Sequence, residues 1–108
     1  MFMKTNSKLV RDKIPEIISQ QGSSPVTHVA SDREYWDKLK EKLKEEVFEF
    51  HQSENEEELA DILEVIDSIC DFKSINKKKL ELLRRNKARK KGRFKSKIIL
   101  DDVRFQDT

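Results

Sequence analysis

The sequence predicts an all-α protein built around a helical hairpin, and three observations favour that class. Glycine and proline number two each in 108 residues, too few for the many turns of a sandwich or a barrel. Apolar side chains recur at steps of three and four through two neighbouring stretches, which is the periodicity of helices that bury one face. Hydrophobic residues make up 35% of the chain and charged residues 41%, so the core is expected to be narrow or completed by a second copy.

The first element is expected to be a short helix within residues 8–20, because Pro15 suits the first turn of a helix. Residues 22–25 are expected to form a loop, and weak alternation over residues 26–30 predicts a short extended segment. The first long helix opens at Ser31, since Ser31 and Glu34 have the S-x-x-E spacing of a capping box, and it continues to about residue 52. Its apolar stripe comprises Trp36, Leu39, Leu43, Val47 and Phe50.

The second long helix follows a break at residues 53–56, which offers two possible N-caps, and it spans about residues 56–72. Its apolar face comprises Leu59, Ile62, Leu63, Ile66, Ile69 and Cys70. A third long helix, capped by Ser74 or Asn76, ends near Lys91 with Gly92 just beyond it. The apolar run at residues 98–100 predicts a strand or an extended tail packed on the helices, within a short extended segment near residues 97–103.

The net charge of +2 conceals an acidic hairpin that is followed by a basic segment. Residues 41–71 contain twelve acidic side chains against two basic ones, whereas residues 73–97 contain thirteen basic against one acidic. A metal ion with a polyanion would join the two regions, and so would charge pairing within the chain. The basic run over residues 84–93 lacks interleaved aromatic side chains, which disfavours nucleic acid as a partner.

Four carboxylates occupy matched positions on the two helices of the hairpin. On the first helix the apolar stripe centres near Leu43, and Glu46 lies about 60° and Glu49 about 120° to one side of it. On the second helix the stripe centres near Ile66, and Glu58 lies about 80° and Asp61 about 140° from it, in the same rotational sense. In an antiparallel hairpin these flanks meet on one side, with Glu49 level with Glu58 and Glu46 level with Asp61. The sequence therefore predicts a square of carboxylates at the rim of the seam between the helices.

Such a square indicates a divalent cation, because neighbouring anions repel one another unless a cation lies between them. Ligation by oxygen alone is typical of Mg²⁺ or Mn²⁺, and Mg²⁺ held by carboxylates commonly handles phosphates. The alternative is a solvated acidic surface, since glutamate is a good helix former. Two carboxylate pairs mirrored about one turn favour the metal site.

The ordered pairs, E-x-x-E at Glu46 and Glu49 and E-x-x-D at Glu58 and Asp61 within EELADILEVID, resemble the metal-binding signature of the all-α nucleoside triphosphate pyrophosphohydrolases. These include MazG-like proteins, dimeric dUTP pyrophosphatases and phosphoribosyl-ATP pyrophosphohydrolases. The opening KLVRDKIPEII and the late KKGRFKSKIIL resemble one MazG-like subgroup, often called phosphoribosyl-ATP pyrophosphohydrolase-like. The resemblance covers about residues 8–100 and implies a single MazG-like helical domain over residues 1–108. Arg93 departs from it, since related sequences often have a second glycine there.

The resemblance implies hydrolysis of a nucleoside triphosphate between its α- and β-phosphates, giving a monophosphate and pyrophosphate. Glu46, Glu49, Glu58 and Asp61 would hold Mg²⁺, with Mn²⁺ as a possible substitute, and Glu46 or Glu49 would orient or deprotonate the attacking water. A function in clearing the nucleotide pool would follow. The resemblance also implies a homodimer or higher homo-oligomer, in which two hairpins complete a four-helix core.

Basic side chains are also required, because a triphosphate is held by protein cations as well as by metal. Lys8, Arg11 and Lys13 precede the first helix, and Lys91 and Arg93 lie at the end of the basic run. These five are the candidate substrate-binding residues. The alternative for each is ordinary surface charge.

The remaining features favour a cytoplasmic protein with no membrane partner. Cys70 is the single cysteine, the longest apolar runs fall short of the roughly 20 residues that span a bilayer, and the first residues are polar. His28 and His51 lack a second histidine or cysteine at metal-binding spacing, so neither is expected to bind metal. The competing hypothesis is a non-catalytic helical module that binds nucleic acid or protein through the basic C-terminal third.

Overall fold

The computed structural model describes residues 7–105, and within that range the chain forms four helices and no strand. The helices are α1 (Ile14–Gln20), α2 (Asp32–Ser53), α3 (Glu56–Lys73) and α4 (Lys77–Lys91). The predicted all-α class is therefore confirmed. The chain groups into two compact units, one ending at Ile75 and the other beginning at Asn76, and a single domain over residues 1–108 stays a prediction. No helix in the described range has the length and hydropathy needed to cross a membrane.

The short helix α1 begins as predicted, with Pro15 at its second position, where no backbone donor is needed. It ends in a Schellman turn, in which the Ser23 N–H donates to the Ile18 carbonyl oxygen over 3.2 Å and Gly22 adopts a φ of 91°. The chain then reaches α2 without regular structure, so residues 26–30 form no strand. Val26 and Val29 are fully exposed there, because no neighbouring strand in the described chain pairs with them.

The capping box at the start of α2 is confirmed, since the Ser31 hydroxyl accepts a hydrogen bond from the Glu34 N–H over 3.2 Å. Glu54 ends α2 in the left-handed conformation, with a φ of 57°, and Asn55 precedes the first residue of α3. A two-residue connection of this kind folds α3 back along α2 as a helical hairpin. Ser74, with a φ of 55°, ends α3 in the same way.

The seam of the hairpin centres on Leu39 of α2 and Val65 of α3, which are 1% and 7% exposed. The apolar pattern predicts stripes centred on Leu43 and Ile66, and Ile66 is instead 37% exposed. Val65 lies about 100° around α3 from Ile66, so the buried face is rotated towards Val65 while it still includes Cys70 of the predicted face. Apolar side chains left outside the seam are Val47, Phe48, Leu59, Leu63 and Ile66.

Aromatic side chains pack together at the end of the hairpin that lies away from the turn between α2 and α3. Phe72 of α3 stacks on Trp36 with ring centroids 5.8 Å apart and contacts Tyr35 edge to face at 5.2 Å. Cys70 precedes Phe72 by two residues in the sequence and is 3% exposed. Trp36 is therefore a packing residue, as expected, and Cys70 is the small buried hydrophobe that its position predicted.

The second unit contains α4 and the residues after it. The Asn76 side chain caps α4 by accepting a hydrogen bond from the Lys79 N–H over 3.1 Å, and Gly92 ends the helix with a φ of 84°, as predicted. The expected strand or packed tail at residues 98–100 is wrong: these residues form no strand, and Ile98, Ile99 and Leu100 are 77–83% exposed. Apolar composition alone therefore did not determine the burial of this segment.

Candidate metal centre

The hairpin brings three carboxylates together. Glu46 comes from α2, Glu58 and Asp61 come from the first two turns of α3, and one ligand oxygen from each lies within 4.8 Å of the other two. Over residues 7–105 this is the one group of histidine, cysteine or acidic side chains close enough to share a metal ion.

These carboxylates lie in line with the buried seam rather than at its rim. Glu46 follows Leu39 by seven residues, so the two differ by about 20° around α2. Glu58 and Asp61 lie about 20° and 40° from Val65 around α3. The predicted convergence of these three residues is thus observed, but the acids occupy the same faces as the core side chains.

Glu46 is the buried member of the group, with 5% of its surface exposed. Burial raises the pKa of its carboxyl group, the neighbouring Lys42 opposes that rise, and the charges of Glu49 and Asp61 add to it. Its Oε2 atom is buried and has no hydrogen-bond partner. A buried carboxylate oxygen without a donor is costly unless a cation binds it, and an all-oxygen ligand set suits a hard divalent cation. The residues present therefore fit Mg²⁺.

Two charged residues that the sequence did not single out flank this group. The Lys42 Nζ lies 3.3 Å from Glu46 Oε1 and 3.3 Å from Glu45 Oε2, and the Lys42 side chain is 18% exposed. Glu45 is half-buried and joins this network. The spacing of Lys42 and Glu46, four residues apart on a helix, was the available signal.

The segment before α1 lies against the hairpin. The Lys8 Nζ is 3.4 Å from Glu45 Oε1, and the Lys38 Nζ donates to the Ser7 carbonyl oxygen over 3.0 Å. Arg11 Nη2 donates to Asp61 Oδ1 over 2.7 Å, so a predicted phosphate-binding residue contacts a predicted metal ligand. The structure therefore brings Lys8 and Arg11 to the same side of the hairpin as the carboxylates.

The other predicted residues are not part of this group. Glu49 is exposed one turn beyond Glu46, near enough that its charge raises the pKa of the Glu46 carboxyl group. Lys13 is exposed at the start of α1. Lys91 ends α4 and Arg93 follows it in the second unit, and both are exposed. Their assignments, and the ligand role of Glu49, stay predictions.

Neither histidine belongs to the carboxylate group. The His28 Nε2 lies 2.8 Å from Glu34 Oε1 on the far part of α2, and His51 is exposed in the last turn of that helix. No histidine or cysteine in the described residues joins Glu46, Glu58 and Asp61. The ligand atoms that the described residues offer in the candidate centre are therefore all carboxylate oxygens.

Comparison with known proteins does not identify a family for the chain. The chain is similar to a protein of Mycolicibacterium smegmatis described as uncharacterized, with 48% identity over 48 residues, which is 44% of this chain and 49% of that protein. The chain thus spans about half the length of this relative. No family model and no solved structure matches the chain.

Proposed function

We propose that this protein is a Mg²⁺-dependent nucleoside triphosphate pyrophosphohydrolase that produces a nucleoside monophosphate and pyrophosphate. The observation that carries the proposal is the convergence of Glu46, Glu58 and Asp61, with a buried oxygen of Glu46 left without a donor. The sequence resemblance described above supports the same reaction. Clearing of the nucleotide pool in the cytoplasm is the corresponding cellular function.

Glu46, Glu58 and Asp61 hold the cation in this proposal, with Mn²⁺ as a substitute. When bound, Mg²⁺ supplies Lewis acidity, since it neutralises phosphate charge and makes a water more acidic. Glu49 is exposed beside Glu46, so its carboxylate is available to orient the attacking water and accept its proton.

The segment before α1 holds the polyphosphate. Arg11 lies 2.7 Å from Asp61, and its guanidinium group retains further N–H donors that match phosphate oxygens in a fork geometry. Lys8 and Lys13 add positive charge on the same segment. The supporting fact is the contact of Lys8 and Arg11 with the carboxylate-bearing face of the hairpin.

A homodimer completes the fold in this proposal. Leu59, Leu63 and Ile66 recur at steps of four and three on α3, so they share one face of that helix, and they are 37–67% exposed. Val47 on α2 is 39% exposed and lies about 80° around that helix from Leu39, in the rotational sense that brings it to the same side of the hairpin as these three residues. Burying these side chains against a second hairpin produces a four-helix bundle and removes apolar surface from water.

The test is product analysis with a panel of ribo- and deoxyribonucleoside triphosphates and Mg²⁺. The wild-type protein should release monophosphate and pyrophosphate in equal amounts from at least one of them. Glu58→Gln should lose most of this activity, whereas Glu57→Gln, an exposed neighbour with the same change of charge, should retain it. Release of inorganic phosphate alone, or equal activity in both variants, would contradict the proposal.

The competing hypothesis makes a different prediction in the same experiment. A nucleic-acid-binding module would split no triphosphate and would bind DNA or RNA in a salt-sensitive manner. Neutralising the basic residues from 84 to 91 would abolish that binding, whereas Glu58→Gln would leave it unchanged.

A further inference from the structure

Lys42 contacts two glutamates, one of which is the buried member of the carboxylate group. Its Nζ atom lies 3.3 Å from Oε1 of Glu46 and 3.3 Å from Oε2 of Glu45. The Lys42 side chain is 18% exposed and that of Glu45 is 30% exposed, so both are more confined than ordinary surface side chains. Glu45 is held in turn by Lys8, 3.4 Å from its other oxygen. Lys42 is therefore fixed between two anions.

The consequence for Glu46 is that its two carboxylate oxygens are not equivalent. Oε1 lies against the Lys42 ammonium group, whereas Oε2 is buried without a partner. A carboxylate held through one oxygen presents the other in a defined direction, which is how partners of ligand side chains orient a metal site.

We propose that Lys42 is a positioning residue of the metal centre, which holds Glu46 by Oε1 so that Oε2 is the oxygen offered to the divalent cation. This inference rests on the proposed metal site. Lys42 does not contact the cation or the substrate in this role, and Glu45 contributes by keeping Lys42 in place.

Electrostatics and positioning predict opposite effects when Lys42 is removed. Lys42 is a positive charge close to a proposed cation site, so its loss would tighten metal binding if charge alone mattered. If Lys42 positions Glu46, its loss weakens metal binding, typically by about 10-fold or more for a residue that supports a ligand. The sign of the change therefore distinguishes the two.

The experiment is calorimetric titration of Mn²⁺ into the wild-type protein and into Lys42→Met, Lys42→Arg and Lys44→Met. Lys44 is the matched control, because it is an exposed lysine on the same helix, about 200° around from Lys42. We expect Lys42→Met to bind Mn²⁺ about 10-fold more weakly or worse. Lys42→Arg should recover part of the loss, and Lys44→Met should match the wild type. Far-UV circular dichroism establishes that each variant is folded, and Lys42→Gln, which also removes the charge, replaces Lys42→Met if that variant is not.

A second readout separates positioning from general damage. At saturating Mg²⁺, Lys42→Met should keep most of the wild-type kcat, while the Mg²⁺ concentration for half-maximal activity rises. Equal or tighter Mn²⁺ binding by folded Lys42→Met would overturn the inference and leave the proposed metal site standing. Absence of Mn²⁺ binding by the wild-type protein would overturn both.

Discussion

Replacing Glu46 by glutamine should stabilise the metal-free protein near neutral pH and remove its stabilisation by Mg²⁺. Glu46 is 5% exposed, lies with Glu58 and Asp61 inside a 4.8 Å group, and has one oxygen without a partner. Glutamine keeps the size of the side chain and removes its charge. The variant therefore relieves repulsion in the metal-free protein and deletes a ligand from the metal-bound one.

The magnitude follows from the distances. At an effective dielectric constant of about 20, two unit charges at 4.8 Å, the upper limit of the separation of the three ligand oxygens, repel by about 3.5 kcal/mol, and a charge pair at the 3.3 Å separating Lys42 and Glu46 attracts by about 5 kcal/mol. Repulsion from two neighbouring carboxylates thus exceeds the attraction by about 2 kcal/mol. Burial of the charge, which is the largest cause of the raised pKa of Glu46, adds to this cost. Pairing of Asp61 with Arg11 reduces this difference. We expect Glu46→Gln to gain about 1–2 kcal/mol, and each kcal/mol raises the melting temperature of a small domain by about 4–8 °C.

Metal should reverse the order of stability. A cation at 100 times its dissociation constant stabilises the folded protein by about 2.7 kcal/mol, and Glu46→Gln should lose most of that gain. The assay is thermal unfolding of wild type, Glu46→Gln and the control Glu57→Gln, in EDTA and in Mg²⁺. A lower melting temperature for Glu46→Gln than for the wild type in EDTA, or an equal rise of both melting temperatures with Mg²⁺, would refute this role of Glu46.

Three further predictions concern pH, phosphate binding and assembly. Burial raises the pKa of Glu46, so protonation of its carboxyl group favours the folded state. The stability that this protonation contributes is complete below the ordinary carboxyl pKa and is lost as the pH rises through the raised pKa. The gain of Glu46→Gln over wild type in EDTA should therefore grow from about pH 4 to pH 7, and a constant difference would contradict this account. Arg11→Gln should weaken binding of pyrophosphate with Mg²⁺ by about 10-fold in calorimetry, because a charged hydrogen bond contributes about 1.5–3 kcal/mol; Arg33→Gln, an exposed arginine on α2, should bind as the wild type does. Leu63→Ser should shift a wild-type dimer towards monomer in sedimentation equilibrium, because it removes the most exposed apolar side chain of the proposed α3 face, and a wild-type monomer would refute the assembly.

The helices and most of their ends were predictable because their signals are local. Ser31 and Glu34 are three residues apart, Pro15 lies inside the first turn of α1, and Asn76 and Gly92 bracket α4. Each acts through a hydrogen bond or a dihedral preference that involves its own neighbours in the chain. Such signals act independently of how the rest of the molecule packs.

The rotation of the hairpin was not predictable from its apolar pattern. Both helices carry more apolar residues than one seam can bury, so the pattern does not say which of them face each other. Centring α3 on Ile66 placed Asp61 far from the seam, whereas the observed centre at Val65 places it about 40° away. The identity of three clustered acids was recovered because spacing along each helix and height across the turn do not depend on that choice.

The contacts of Lys42, Glu45 and Arg11 were also outside what the sequence determines. Arg11 and Asp61 are 50 residues apart, and their pairing depends on where the segment before α1 lies. The sequence predicts a phosphate role for Arg11 but does not specify its carboxylate partner. For Lys42 the four-residue spacing to Glu46 was visible, but its meaning depends on the burial of Glu46.

The central claim is that Glu46, Glu58 and Asp61 form one divalent cation site, and titration with Mn²⁺ tests it most directly. The wild-type protein and Glu57→Gln should each show saturable binding with the same affinity. Glu58→Gln should bind far more weakly, although its charge change is the same and its position is one residue away. Absence of saturable binding by the wild-type protein, or equal affinity in Glu57→Gln and Glu58→Gln, would contradict the claim.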